Sequence, residues 1–163
     1  MNDINFITPA GGFSVRTAAV ILRGSEVLLC HYDGGPDNSF WFLPGGRVQL
    51  FESAAAGLAR ELREEIDAEV TCGPLLWISE NSFPAQQVPT HELVFYFSAT
   101  LSEDAPLLHA QQTVAGTEPG SRLSFAWVER AGLGDIDLRP ATIKDRLMRA
   151  SFRFEHLVTL DDG

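Results

Sequence analysis

The segment from Glu52 to Ile66 constrains the fold more than any other part of the chain. Its apolar residues recur at helical spacing and define one stripe, made of Ala55, Leu58, Ala59, Leu62 and Ile66. Three glutamates, Glu61, Glu64 and Glu65, follow one flank of that stripe on an ideal helix. The segment therefore predicts an amphipathic helix that packs against another layer and carries a row of carboxylates beside its buried face.

Periodicity elsewhere predicts strands and a second helix. Two apolar runs between Val15 and Tyr32 flank Gly24-Ser25, a pair suited to a type II′ turn, and predict an antiparallel hairpin. Further strands are expected over Leu75–Ser79, Glu92–Thr100 and Leu123–Val128, a helix over Ala141–Phe152, and loops at Asp33–Ser39, Asn81–Pro89 and Glu103–Gly120. Strands accompanied by two helices indicate an α/β sandwich, in which hairpins and helix crossovers together make a mixed sheet.

The length of 163 residues suits one domain spanning 1–163. No apolar run approaches the roughly 18 residues that a membrane-spanning helix needs. Met1 to Phe13 lacks the basic start of a secretory signal, so we expect a cytoplasmic protein. Cys30 and Cys72 lie in apolar contexts without a metal or redox spacing, and we expect both to be free thiols.

The formal charge of −10 limits the partners that the chain can bind. General nucleic-acid binding is not expected, because phosphate contacts need clustered Lys and Arg and Lys144 is the only lysine. An anionic small molecule would have to be reached through a local cation, either a metal ion or a few arginines.

The row of glutamates has two interpretations. Like charges three and four residues apart on a helix repel each other, and a hard divalent cation such as Mg²⁺, which prefers oxygen ligands, would relieve that repulsion. Glutamate-rich helix faces are also commonly just solvated, and Arg60 or Arg63 could supply surface ion pairs. The helix alone leaves both interpretations open.

The residues before the helix add a spaced motif. The sequence Gly46-Arg-Val-Gln-Leu-Phe-Glu52 is followed by seven residues and then by Arg60-Glu-Leu-Arg-Glu-Glu65, which closely resembles the Nudix box. The resemblance extends from the hairpin at Arg16–Tyr32, through Trp41–Gly46, to the strand around Trp127. It implies the Nudix α/β/α sandwich and hydrolysis of a nucleoside diphosphate linked to another moiety.

The resemblance also assigns roles to residues of the motif. It implies that Glu61, Glu64 and Glu65 bind Mg²⁺ or Mn²⁺, with Glu64 also catalytic. Arg60 would orient a catalytic glutamate, and Glu52 would support the loop before the helix. The motif departs from the family pattern at Asp67, where glycine is expected, and at Ala68, where an aliphatic residue is expected. Asp tolerates the left-handed conformation that suits glycine there better than most residues do, at a cost of roughly 1 kcal/mol.

Residues outside the motif are candidates for binding the substrate. Arg16 and Arg47 are expected to contact phosphates, and each is equally consistent with a surface role. Gly45 and Gly46 form a turn that allows close approach of the backbone. Phe83 is a candidate for stacking on a base or, alternatively, for packing under its own loop. Glu92, at the start of a strand, is a candidate for an additional catalytic glutamate or simply ends a loop. Specificity is expected to come from loops at Asn81–Thr90 and Glu103–Gly120.

The same residues can be compared with what other classes of function require. A zinc-protease helix is excluded because Phe95 stands where the second histidine ligand would follow His91, and no Walker-type phosphate loop is present. A non-catalytic nucleotide sensor on the same fold would be expected to have lost metal ligands. A diphosphate isomerase would need an additional catalytic group such as a reactive cysteine. A homodimer is compatible with the sequence.

Overall fold

One long strand, β2 (Gly11–Arg23), organises the sheet in the computed structural model, which describes residues 2–36, 38–83, 88–117 and 120–160. One edge of β2 pairs in parallel with β7 (Thr90–Leu101). Its other edge pairs in succession with three antiparallel strands: β1 (Asn5–Thr8), β5 (Gly45–Arg47) and the start of β3 (Glu26–Asp33). The short β5 is thereby held at the middle of β2.

The described residues form a ten-stranded mixed sheet. Its remaining strands are β4 (Ser39–Phe42), β6 (Val70–Phe83), β8 (Val114–Ala115), β9 (Leu123–Glu129) and β10 (Glu155–Leu160). The order along the main path is β10-β6-β7-β2-β3-β9-β8, with β10 parallel to β6 and β6 antiparallel to β7. The predicted hairpin is confirmed, since Arg23 pairs with Glu26 across Gly24-Ser25.

Alternation of side chains along β2 divides the core between the two faces of the sheet. Ala19 and Ile21 share a buried cluster with Leu58 and Leu62 of α1 (Ala54–Ile66). Ala18 and Val20 belong to the opposite cluster, which also holds Ile143, Leu147 and Trp77. The α/β/α arrangement with a mixed sheet is confirmed, with α1 on one face and short helical turns on the other.

The first helix begins two residues later than predicted and ends where predicted. Ser53 caps its start, because the Ser53 hydroxyl accepts a hydrogen bond from the Ala56 N–H at 3.2 Å. At the other end Asp67 adopts the left-handed conformation, with φ 49° and ψ 42°, and its N–H donates to the carbonyl of Arg63. This is the conformation that favours glycine, so the departure at position 67 is accommodated by an aspartate under mild strain.

The second helix, predicted over Ala141–Phe152, is wrong in extent. The chain forms a 3-10 turn at Ala141–Ile143 and a single α-helical turn, α2 (Lys144–Leu147). Arg130 ends it by donating to the carbonyls of Leu147 and Arg149, at 3.2 and 3.1 Å. The apolar positions Ile143 and Leu147 are buried as the pattern indicated, but these tertiary contacts end the helix early.

The predicted strands are present, and several are longer than expected. The strand at Leu75–Ser79 extends to Phe83, so the predicted loop Asn81–Pro89 begins within β6. The predicted loop Glu103–Gly120 contains a 3-10 turn at Pro106–His109 and β8. Positions 37, 84–87 and 118–119 of the predicted loops lie outside the described residues. Within the described ranges, no helix has the length and apolar character needed to cross a membrane.

The helix end at Asp67 is open to a direct test. Replacing Asp67 by glycine removes the left-handed strain, and we expect the free energy of unfolding to rise by up to about 1 kcal/mol. Replacing it by alanine, which tolerates this conformation less well, should lower the free energy of unfolding. Urea denaturation of the three proteins measures both changes, and an alanine variant as stable as the glycine variant would contradict the assignment.

Candidate active site

The guanidinium of Arg60 joins the glutamates of the motif. Its Nη2 donates to Glu52 Oε1 at 2.8 Å and to the carbonyl of Arg47 at 2.9 Å. Its Nη1 donates to Glu61 Oε1 at 2.8 Å and to Glu64 Oε2 at 3.1 Å. The hydrogen bonds to Glu52 and Glu61 raise the pKa of Arg60, and those to Glu52 contribute most. One cation thus holds three carboxylates and ties α1 to β5.

Glu52 supports the loop that precedes the helix. Its Oε1 accepts a hydrogen bond from the N–H of Gln49 at 2.7 Å, and the hydrogen bonds from Arg60 lower its pKa. The loop is strained at Phe51, whose φ is 70° and whose side chain is fully exposed. A bulky residue in this region costs roughly 1–2 kcal/mol, so the loop needs the contacts that Glu52 supplies.

Glu61 lies directly against the backbone of Gly46. A Cβ placed on Gly46 would be 2.0 Å from Glu61 Oε2 and 2.2 Å from its Cδ, so only glycine leaves room for this carboxylate. The Glu61 side chain is 16% exposed, and burial is the main cause that raises its pKa, opposed by Arg60. A buried carboxylate of this kind is stabilised in its charged form by an added cation.

Glu64 and Glu65 lie at the last turn of α1, where a loop from elsewhere in the chain contacts the helix. The Thr117 hydroxyl donates to the carbonyl of Glu64, and the Thr117 N–H donates to the carbonyl of Glu65 at 2.9 Å. The Glu64 side chain is 53% exposed, whereas Glu65 is partly buried. Glu64 is therefore the carboxylate with the most freedom to change partner.

The donor set is chemically suited to a hard divalent cation. Carboxylate oxygens on one helix edge are typical Mg²⁺ ligands, and Gly46 leaves the space that Glu61 needs. Within the described ranges, no three or more His, Cys, Asp or Glu side chains already converge as a metal-binding set. Glu61 and Glu64 instead share Nη1 of Arg60 through one oxygen each, Glu61 Oε1 and Glu64 Oε2, so the second oxygen of each carboxylate lies outside these two ion pairs.

A groove of about 780 Å³ contains the other candidate residues. Arg16, Arg47, Phe83 and Glu92 all line it. Arg16 and Arg47 are cross-strand partners on β2 and β5, so their side chains share one face of this pair, and Thr17 and Gly46 share the other. The structure therefore gathers Arg16, Arg47, Phe83 and Glu92 in the groove, whereas Gly45 and Gly46 are buried in β5 and do not line it. Arg47 connects the groove to the glutamates through its carbonyl, which accepts a hydrogen bond from Arg60.

Glu92 lies on the groove floor with only distant partners. Its Oε2 is 3.5 Å from the Ser14 hydroxyl and 3.8 Å from Arg16 Nη1, and its Oε1 is 3.5 Å from Asn81 Nδ2. Its side chain is 16% exposed. A largely buried carboxylate held by long contacts retains capacity to accept hydrogen bonds from a ligand. The roles of Glu92 and of the other candidate residues stay predictions.

Sequence reasoning missed a buried polar pair behind Glu92, which Asn81 contacts at 3.5 Å, and one arginine of the groove. Ser79 and Asn81 are buried polar residues, and the Ser79 hydroxyl donates to Asn81 Oδ1 at 2.6 Å. Arg139 lines the groove, with its guanidinium 4.4 Å from the centre of the Phe40 ring. The available signal was weak: the alternation of Trp77, Ser79 and Asn81 indicates one strand face, but the strand was predicted to end at Ser79.

The two adjacent glycines provide a matched test of this geometry. Gly46→Ala directs a methyl group at the movable end of Glu61, whereas Gly45→Ala directs one at the backbone, 2.2 Å from the Thr17 carbonyl oxygen, with φ at 147°. We expect Gly45→Ala to lose at least about 2 kcal/mol of stability and Gly46→Ala clearly less, with Glu61 displaced. Urea denaturation and a crystal structure of the Gly46 variant check this, and equal losses would contradict it.

Similarity to known proteins agrees with this geometry. A family model described as the NUDIX domain matches residues 13–146. A Mycobacterium tuberculosis protein with the provisional name 8-oxo-dGTP diphosphatase 2 is 31% identical over 130 residues, which cover 78% of this chain and 81% of that protein. The CTP pyrophosphohydrolase of Escherichia coli is 40% identical over 57 residues, 34% of this chain and 42% of that protein.

Solved structures share the fold. The crystal structure of a NUDIX hydrolase from Nitrosomonas europaea superposes with a TM-score of 0.64 at 21% identity, over 91% of this chain and 79% of that chain. The chain therefore belongs to the NUDIX family and is a hydrolase that acts on pyrophosphate bonds.

Proposed function

We propose that the protein is a Mg²⁺-dependent hydrolase that cleaves the diphosphate linkage of a nucleoside diphosphate joined to another moiety. The observation that carries the proposal is the Arg60 network, in which Glu52, Glu61 and Glu64 surround one guanidinium next to the Gly45-Gly46 backbone. Members of the family generally use divalent metal ions. In this proposal Glu61, Glu64 and Glu65 hold Mg²⁺, and Mn²⁺ can replace it.

The proposed reaction adds one water molecule across a P–O–P bridge. A bound divalent cation would polarise the diphosphate and lower the pKa of the attacking water. Glu64, the most exposed carboxylate of the network at 53%, accepts the proton of that water, and Arg60 positions it. One P–O bond forms, the bridging P–O bond breaks, and two phosphate-bearing products leave.

The groove is proposed to hold the rest of the substrate. A chain with a net charge of −10 needs local cations to attract a polyphosphate, and Arg16 and Arg47 supply two on one face of the β2–β5 pair. Gly45 and Gly46 directly precede Arg47 in β5, so their backbone is proposed to lie beside the bound phosphates. Phe83, on the groove wall, offers a ring for stacking against a base.

The names of the sequence relatives narrow the proposed substrate class. The two sequence relatives are named for nucleoside triphosphates, 8-oxo-dGTP and CTP, so we propose this class as the first to test. Sugar nucleotides such as ADP-ribose and dinucleoside polyphosphates contain the same linkage and complete the panel. The groove volume of about 780 Å³ lies within the range of small-molecule sites.

The test compares wild type with Glu64→Gln on this panel, with Mg²⁺, with Mn²⁺ and with a chelator. We expect metal-dependent release of phosphate products by wild type and a loss of about 100-fold or more in the variant. Glu69→Gln is the matched control, because Glu69 is exposed and pairs with Arg63 rather than with Arg60. It should hydrolyse the substrate as wild type does.

One result would overturn the proposed hydrolysis. Nucleotide binding without turnover of any compound would indicate a non-catalytic sensor.

Glu92→Gln in the same assay tests whether Glu92 is a catalytic glutamate or only ends a loop. A loss of kcat similar to that of Glu64→Gln would make Glu92 a catalytic glutamate, and an unchanged rate would remove it from the site.

A further inference from the structure

One buried hydroxyl near the motif has no hydrogen-bond partner among the described residues. Thr17 is 1% exposed, and its Oγ1 contacts no donor or acceptor within hydrogen-bonding distance. A buried polar group without a partner lowers the stability of the folded state, so such groups are rare. Valine has the same shape and would avoid this cost, and Ala19 and Ile21, on the same face of β2, are apolar.

The strand register places Thr17 next to the carboxylate of Glu61. Thr17 and Gly46 are cross-strand partners on β2 and β5, so their side-chain directions share one face of the sheet. A Cβ on Gly46 would collide with the Glu61 carboxylate, which shows that this shared face is the one beneath Glu61. Side chains directly opposite each other in an antiparallel pair are about 5 Å apart at Cβ.

The other residues on this face agree with that placement. Ala19 and Ile21, two and four residues further along β2, pack in the same cluster as Leu58 and Leu62 of α1. Thr17 is the position of this series nearest to the glutamates, because it is the cross-strand partner of Gly46. Its hydroxyl therefore lies where the apolar core ends and the site begins.

We propose that Thr17 is a positioning residue for the metal ion, whose hydroxyl hydrogen-bonds to a water molecule that the ion carries beside Glu61. The inference rests on the proposed function, since it requires a divalent cation at the glutamates. Mg²⁺ and Mn²⁺ in proteins keep part of their hydration shell, and such waters need partners. Such a water would give the Thr17 hydroxyl the partner that it lacks among the described protein atoms, and it would account for a threonine where valine has the same shape.

The test separates metal binding from folding and uses no substrate. Free Mn²⁺ is titrated by electron paramagnetic resonance with wild type, Thr17→Val and Thr17→Ser, and thermal midpoints are measured with a chelator present. We expect Thr17→Val to bind Mn²⁺ about tenfold more weakly, as is typical when a partner of a metal ligand is removed. Thr17→Ser, which keeps the hydroxyl, should bind close to wild type.

The thermal midpoint without metal separates a role toward the metal from a structural role. If the Thr17 hydroxyl had a structural partner, Thr17→Val would lower this midpoint. Thr17→Val should have a midpoint equal to or above that of wild type, because it removes a hydroxyl that lacks a partner in the metal-free protein. Thr142→Val is the matched control: its hydroxyl pairs with that of Thr159 at 3.4 Å, next to Ile143 on the face of the sheet opposite α1, and Mn²⁺ affinity should not change.

Two outcomes would overturn the assignment in distinguishable ways. If wild type binds Mn²⁺ and Thr17→Val binds it equally well, Thr17 has no role toward the metal, and the proposed function is unaffected. If Thr17→Val has a lowered midpoint without metal, the hydroxyl has a structural partner in the folded protein. Wild-type protein that binds no Mn²⁺ would overturn this assignment together with the metal dependence of the proposed function.

Discussion

The arrangement of the site depends on the ion pairs of one arginine. Glu61 and Glu64 project from the same edge of α1, and without a compensating charge they would repel each other. Arg60 contacts both at 2.8 and 3.1 Å, and it also reaches Glu52 and the carbonyl of Arg47. The same side chain therefore neutralises the helix edge and anchors the strand that borders the groove. The partial burial of this network makes each contact more consequential than a surface ion pair.

Side chains of strand β2 that belong to the proposed site lie on both faces of the sheet. Its even-numbered residues Ser14 and Arg16 face Glu92 across the groove floor, while Thr17 faces the glutamates of α1. The short strand β5 follows the same division, with Arg47 on one face and Gly46 on the other. Neighbouring residues thus serve different parts of the proposed reaction, and a slip of one residue in the β2–β5 register would exchange them.

Features encoded locally were predictable from the sequence. The stripe at Leu58 and Leu62, the Gly24-Ser25 hairpin and the left-handed end at Asp67 each depend on a few neighbouring residues, and all three are present. The motif predicted that Arg60 orients a glutamate and that Glu52 supports the loop, and the structure adds that Arg60 contacts Glu52, Glu61 and Glu64 together. The contact of Glu61 with Gly46 was not predicted.

Features set by contacts distant in sequence were not predictable. Helix α2 stops at Leu147 because Arg130 binds the carbonyls at its end, and nothing within the helix sequence marks that stop. Strand β10 was missed because its parallel partner β6 lies more than seventy residues earlier. The buried pair Ser79 and Asn81 looked like a strand end and a loop start, because the contact of Asn81 with Glu92 joins two strands that pair only in the folded sheet.

The glutamates of α1 are proposed to bind a divalent cation while Arg60 holds them in place. Anomalous diffraction from crystals grown with Mn²⁺ tests this directly, because the metal is located without reference to activity. We expect an anomalous peak within bonding distance of carboxylate oxygens of Glu61 and of Glu64 or Glu65. An ordered Mn²⁺ ion at Glu92, with none at the glutamates of α1, would contradict this proposal.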